Sequence, residues 1–274
     1  MSDLRLVPAR PDLAARRLSA THQALRYADG EMMAVAVDRT PLRTGPSPAA
    51  SLASEMLFGE AIEVFEIREG WAWGQALADG YVGYVAAVAL VPPGPAPTHK
   101  IIAPRAFVFP GPDLKLPIEG ALALGTQVCV SDARDGYVFV PYLGWISTHH
   151  LGPLDQSVPD YAGLALRFLE TPYLGGGRTA FGCDCSGLVQ TVLAAAGIKC
   201  PRDADQQQAT FSAGAEPVAR GDLIFWKGHV GIMTDAENIV HANAFHMAVQ
   251  VEPLVQTRAR YEAKDLFIQA ICRP

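Results

Sequence analysis

The chain has 274 residues, half of them hydrophobic and 18% charged, with a formal net charge of −6. That length allows two or three compact domains with ample core. The acidic balance, with no dense Lys/Arg run, argues against nucleic acid or an anionic membrane surface as the principal partner.

The first residues, "MSDLRLVPARPDLAARRLSA", are broken throughout by Pro, Arg and Asp, so they lack the apolar stretch of a secretory signal. The longest apolar run, "VAAVALV" at 85–91, is far too short to cross a bilayer. Five cysteines (129, 183, 185, 200 and 272) are an odd number without framework spacing. A reducing cytoplasm is the expected compartment. Residues 1–30 read as a lead-in segment packed on the body, and "PDLAARRLSATHQALRY" predicts one short helix within it.

From 31 to 93 the pattern changes to short alternating segments, "MAVAV", "AIEVFEI", "WAWGQAL" and "YVGYVAA", separated by turns such as "REG" and "ADG". Period-2 spacing broken by Gly, Pro and Asp predicts a small antiparallel barrel. "PPGPAPT" at 92–98 reads as a proline-extended linker. Residues 99–153 repeat the alternation. There "QVCVSDARDGYVFVPYLGWI" aligns with "EVFEIREGWAWGQALADGYVGYV" through a strand, an acid-rich turn, an aromatic and a closing Gly-aromatic step. Both blocks resemble bacterial SH3-like domains, the first through its "DGYVGYV" strand.

The period changes again over 155–274. "DYAGLALRFLETPY" predicts a helix closed by Pro172, and "SGLVQTVLAAAG" a second helix stopped by Gly197. "DLIFW", "HVGIMT", "NIVHANA" and "AVQVEPL" predict four strands of an antiparallel meander. Helices followed by such a sheet make an α+β domain.

The stretch "FGCDCSGLVQ" at 181–190 places two cysteines at a helix start. Zinc sites use Cys-x2-Cys or clustered His and Cys, and redox pairs use Cys-x-x-Cys; "CDC" is one residue short of both. A nucleophile fits better. Cys185 precedes Ser186, Gly187 and the helix, where backbone N–H groups and the helix dipole favour thiolate and a developing oxyanion. A thiolate needs a base and a group to orient that base. His229 opens one predicted strand and His241 lies in the next, so a hairpin centred near Asp235 makes them cross-strand neighbours on one face. A one-residue slip would separate them.

The order Cys, His, polar orienter is that of papain-like enzymes. "TPYLGGGRTAFGCDCSGLVQ", "GDLIFWKGHVGIM" and "IVHANA" together closely resemble the NlpC-type cell-wall peptidases, whose members often carry SH3-like domains upstream. The resemblance implies a papain-like C-terminal domain preceded by two small SH3-like β-barrels. It implies Cys185 as nucleophile, His229 as general base, His241 as third triad member and Tyr173 beside the oxyanion. It further implies Asp184 and Ser186 as binders of the substrate's free amino end. Glu55 and Tyr81 are the candidates for the acidic residue and tyrosine that relatives supply from the first barrel. Many relatives have Trp two residues after the "PY" tyrosine, where this chain has Gly175. No metal or organic cofactor is called for.

The expected activity is cysteine-dependent hydrolysis of the γ-D-glutamyl–diamino acid bond, for example to meso-diaminopimelate, in peptidoglycan-derived peptides with a free N-terminal L-Ala. In the cytoplasm that is a recycling role. The alternatives are an exported wall lysin cutting acylated stems, a related papain-like amidase or acyltransferase, and a retired domain that only binds.

Overall fold

The computed structural model describes residues 3–214 and 216–274, which form two compact units: one up to Leu154, the other from Asp155 to Pro274. Among the described residues no helix is long and apolar enough to cross a membrane.

The N-terminal unit is built almost wholly of strands. Its first seven-stranded sheet runs, in spatial order, Leu52–Leu57, Arg39–Arg43, Val82–Ala86, Trp71–Ala76, Ala61–Arg68, Glu31–Val35 and Leu90–Val91. The two edge strands are not paired with one another, so the hydrogen-bonding is that of an open sheet rather than of the closed barrel expected. Its inward face buries Leu42, Met56, Ile62, Val85 and Tyr81. A five-stranded and a three-stranded sheet follow between His99 and Pro153, around Ile101, Val108, Leu122 and Ile146. Two hairpins, one in each block, share a turn type. Glu69–Gly70 joins the Ala61–Arg68 and Trp71–Ala76 strands, and Asp135–Gly136 joins Asp132–Arg134 to Tyr137–Val140. All four turn residues have positive φ, as a type I′ turn requires.

The lead-in segment differs from expectation. Instead of a helix, Leu13–Ala15 pairs in parallel with Arg26–Ala28, with only a 3-10 turn at Arg16–Leu18 between. Tertiary packing overrides the helical pattern here. Leu13 and Ala15 are wholly buried against Phe65 and Trp73 of the first sheet. The Arg10 guanidinium lies 4.3 Å above the Trp73 ring and bonds to Glu66 and Tyr84.

The C-terminal unit places helices before and after an antiparallel sheet. Helix α1, Tyr161–Leu166, is capped by Asp160, whose carboxylate accepts the Gly163 N–H. It stops well short of Pro172, because i→i+3 bonds at Phe168 and Leu169 tighten the chain into turns. Helix α2, Cys185–Ala195, is capped by Asp184 and ends before Gly197, at φ +82°. Every residue from Cys185 to Leu193 is buried, so α2 is the unit's internal helix. Helix α3, Ala204–Thr210, follows a capping box formed by Asp203 and Gln206.

The four predicted strands appear as Leu223–Trp226, His229–Met233, Asn238–Asn243 and Ala248–Pro253, in a consecutive meander. A fifth, Ala270–Arg273, adds beside Leu223–Trp226, and Ser212–Ala213 pairs with it at the edge. Helix α4, Leu254–Glu262, follows the fourth strand directly. Helix α2 packs on the His229–Met233 strand, which brings the helix start to the strand that carries the first histidine.

Candidate active site

Cys185 is the first residue of α2, and its position is set by the cap that starts the helix. Asp184 Oδ1 accepts the Gly187 N–H at 2.7 Å, and Oδ2 accepts the Gly176 N–H at 2.7 Å, fixing the incoming loop against the helix. The carboxylate is held in turn by Arg202, which donates to Oδ1 at 3.0 Å and to Oδ2 at 2.8 Å. Arg202 is only 1% exposed and also donates to Ser186 Oγ and the Gly177 carbonyl. Asp184 and Ser186, expected to meet a substrate amine, are thus bound up with Arg202 and backbone N–H groups.

The two histidines lie on one face, as the hairpin reading required, but they are diagonal rather than directly opposite. Ile232 pairs with Val240 and Met233 with Ile239; continuing that register sets Gly231 opposite His241. A Cβ on Gly231 would come within 2.6 Å of the Ile239 side chain and 3.1 Å of His241 Cβ. The missing side chain lets the two rings approach, and His229 Nε2 lies 2.8 Å from His241 Nδ1. Beyond His241, Glu252 Oε1 lies 3.1 Å from Nε2, and Arg260 of α4 closes on Glu252 with two bonds of 2.7 and 2.8 Å.

Burial dominates the charges here. It pushes the Cys185 thiol up to about 11, with Asp184 adding to the rise, against N–H donors from Val230 and Ser186 and the nearby Arg202. Burial thus opposes the thiolate that a helix start alone would favour. Burial, His241 and Arg260 together carry His229 down to about 3, so the ring is neutral. Burial lowers His241 as well, against the pull of Glu252. Burial would raise Glu252, yet bonds from His241 and Arg260 take its carboxyl down to about 2, and it stays ionised. Tyr173 is driven up to about 12 by burial and then by neighbouring Cys185 and Asp184, leaving its hydroxyl a neutral donor beside the thiol.

The structure therefore brings Cys185, Tyr173, Asp184, Ser186, His229 and His241 together in the C-terminal unit. Glu55 and Tyr81 belong to the N-terminal unit. Glu55 is buried on the Leu52–Leu57 strand, 3.6 Å from Arg39, and Tyr81 packs in the core of the first sheet. Four further residues carry no signal in the sequence: Arg202, Glu252, Arg260 and Tyr261. The Tyr261 ring stacks on His229 at 5.1 Å and on Trp226 at 5.1 Å. All five cysteines are free thiols, and no group of three or more His, Cys, Asp or Glu among the described residues is placed to hold a metal ion.

A thiol at a helix start, a neutral imidazole beside it and a second imidazole orienting the first define a papain-like cysteine–histidine site on a mixed α/β fold. Residues 170–265 match the model of the NlpC/P60 family, and residues 42–90 match the bacterial dipeptidyl-peptidase Sh3 domain. The C-terminal unit thus carries a match to the NlpC/P60 cysteine-peptidase domain, with an SH3-like domain match upstream.

A γ-D-glutamyl-L-lysine dipeptidyl-peptidase of Bacillus subtilis (strain 168) is 34% identical over 99 residues, 33% of this chain and 33% of that protein. A probable endopeptidase of Mycobacterium tuberculosis (strain ATCC 25618 / H37Rv) is 29% identical over 192 residues, 64% of this chain and 44% of that one. The matched stretches thus span between about a third and a half of these relatives. Among solved structures, an NlpC/P60 family protein from Bacillus cereus ATCC 10987 superimposes with a TM-score of 0.72 at 19% identity. That likeness in fold covers 82% of this chain and 94% of the other.

Proposed function

We propose that the protein is a cysteine peptidase that hydrolyses the γ-D-glutamyl–diamino acid bond of peptidoglycan-derived peptides bearing a free N-terminal L-Ala. The observation that carries this reading is the hydrogen-bonded His229–His241 pair beside a thiol that accepts the Val230 N–H. The relatives named for γ-D-glutamyl-L-lysine dipeptidyl-peptidase activity support the choice of bond.

Cys185 Sγ attacks the γ-carbonyl carbon while its proton passes to His229, since burial keeps both groups uncharged at rest. The positive end of α2 and the Tyr173 hydroxyl stabilise the tetrahedral oxyanion. His229 returns the proton to the leaving amine as the C–N bond breaks. It then takes a proton from water, which attacks the thioester, and collapse of that intermediate frees the acid and the Cys185 thiol.

The free-amine requirement rests on the family resemblance, in which an acidic residue and a tyrosine upstream of the catalytic unit recognise the amine. Such selectivity suits cytoplasmic recycling of released peptides, because wall stems carry the alanine acylated and offer no ammonium. Mass spectrometry of L-Ala-γ-D-Glu-meso-diaminopimelate, free and N-acetylated, with wild type and Cys185→Ala, tests the reading. Cleavage of the free peptide alone, by wild type alone, is expected. Cleavage of both peptides points to a wall lysin, and cleavage of neither removes the substrate assignment.

A further inference from the structure

His229 has two ring nitrogens, and the row of groups behind it determines which one is left for the thiol. Glu252 Oε1 sits among donors: Arg260 Nη2 at 2.8 Å, His241 Nε2 at 3.1 Å, His246 Nε2 at 3.1 Å and Asn243 Nδ2 at 3.4 Å. Arg260 Nη1 holds Oε2 at 2.7 Å. A carboxylate so surrounded can only accept, so the hydrogen between it and His241 belongs to the imidazole Nε2.

We propose that Glu252, clamped by Arg260, is a positioning residue that fixes the tautomers of both histidines, so that His229 meets the Cys185 thiol with an unprotonated Nδ1. A neutral imidazole carries one N–H. With that hydrogen on Nε2, His241 offers Nδ1 as an acceptor, and its partner at 2.8 Å is His229 Nε2. His229 Nε2 must therefore donate, which leaves Nδ1 as a lone pair. On attack the S–H bond of Cys185 breaks and an Nδ1–H bond forms. The imidazolium keeps its Nε2–H on His241, and the negative Glu252 at the far end of the row offsets the new charge without accepting a proton. The alternative is a carboxylate that merely ties its strand to α4 through Arg260.

Glu252→Met separates the two. It removes the carboxylate from His241 Nε2 and leaves Arg260, a donor-only group, beside it. That moves the hydrogen of His241 to Nδ1 and the hydrogen of His229 to Nδ1 as well, blocking the base.

The inference rests on the reading of Cys185 and His229 as nucleophile and base, so its test needs no substrate. Nitrogen-15 NMR of the full chain should show both wild-type rings with hydrogen on Nε2; a wild-type His241 with hydrogen on Nδ1 overturns the proposal without any variant. Glu252→Met should move both hydrogens and slow alkylation of Cys185 by iodoacetamide at neutral pH by about tenfold or more, a fraction of what a wrong tautomer costs a serine protease. In a His241→Asn background, which has no tautomer to set, the same change should alter alkylation by less than about threefold, since coupling is lost with the partner. Equal losses in both backgrounds, or unmoved hydrogens in Glu252→Met, leave only the structural tie. On the peptide, kcat should fall about 100-fold with KM nearly unchanged. If wild type cuts no peptide while the NMR and alkylation pattern holds, the substrate reading fails and this inference stands.

Discussion

Two arginine–carboxylate pairs flank the candidate site, and they do different work with the same chemistry. Arg202 and Asp184 stand behind the nucleophile, where the carboxylate also gathers the Gly176 and Gly187 N–H groups and the guanidinium reaches the Gly177 carbonyl. Arg260 and Glu252 stand behind the base, where the carboxylate meets ring nitrogens instead. The first pair is knitted into backbone and so fixes where a helix begins. The second is knitted into titratable side chains and so fixes where protons sit. The difference teaches that a buried ion pair should be read from the partners it holds rather than from its own geometry.

The comparison can be tested by removing members in order of expected effect. Cys185→Ala should abolish peptide hydrolysis, a loss of at least about 10⁴-fold by analogy with other covalent catalysts, while thermal denaturation changes little. Arg202→Met should cost about 3–5 kcal/mol of stability, because it strands Asp184 at the helix start without its cation. Urea titration reads that loss, and adding Asp184→Asn should restore part of it; an Arg202→Met protein of wild-type stability would show the pair to be decorative. Tyr173→Phe should lower kcat by about 100-fold if its hydroxyl serves the oxyanion, with steady-state kinetics as the check and no change in urea midpoint.

The smallest effect per step is the acid dependence of stability. His229 is lowered from 6.5 to about 3. As pH falls below 6.5 the unfolded chain takes up the proton first, so stability falls through that window. His229 alone sets a limiting slope of about 1.4 kcal/mol per pH unit. Glu252, lowered from 4.5 to about 2, adds stability that is lost only below about pH 4.5. Urea midpoints measured from about pH 7 to about pH 4 should therefore decline in wild type and decline less steeply in His229→Gln. Parallel curves would show that His229 is already charged in the folded protein.

The proposed nucleophile and both histidines were legible in the sequence because each sits in a local pattern: Cys185 at a helix start, His229 at a strand start, His241 in the strand that follows. The six-stranded C-terminal sheet was legible in its four meander strands and not in Ser212–Ala213 or Ala270–Arg273, which carry no alternation to mark them. Glu252 and Arg260 were illegible for another reason. "AVQVEPL" reads as an ordinary strand, and only the register Ile239↔Glu252 with His241↔Gln250 shows that Glu252 lies diagonal to His241 on its face. Arg202 lay in a stretch between helices with no periodicity, and its burial is a property of the fold. The diagonal placement of the histidines also needed the folded sheet, since nothing in "HVGIM" says that Gly231 makes the room between them. In the lead-in, helical spacing was a true feature of the sequence, outweighed by the aromatic face offered by Phe65 and Trp73.

That aromatic face has a practical meaning for anyone handling the molecule. The family match to the SH3-like domain begins at residue 42, yet Leu13 and Ala15 cover Phe65 and Trp73 from outside that boundary. A recombinant fragment cut at the match would bare two large rings and strip Arg10 from Trp73. It would invite self-association. The working edge of this domain lies well upstream of where sequence likeness starts, near Pro8, whose carbonyl accepts the Ala15 N–H.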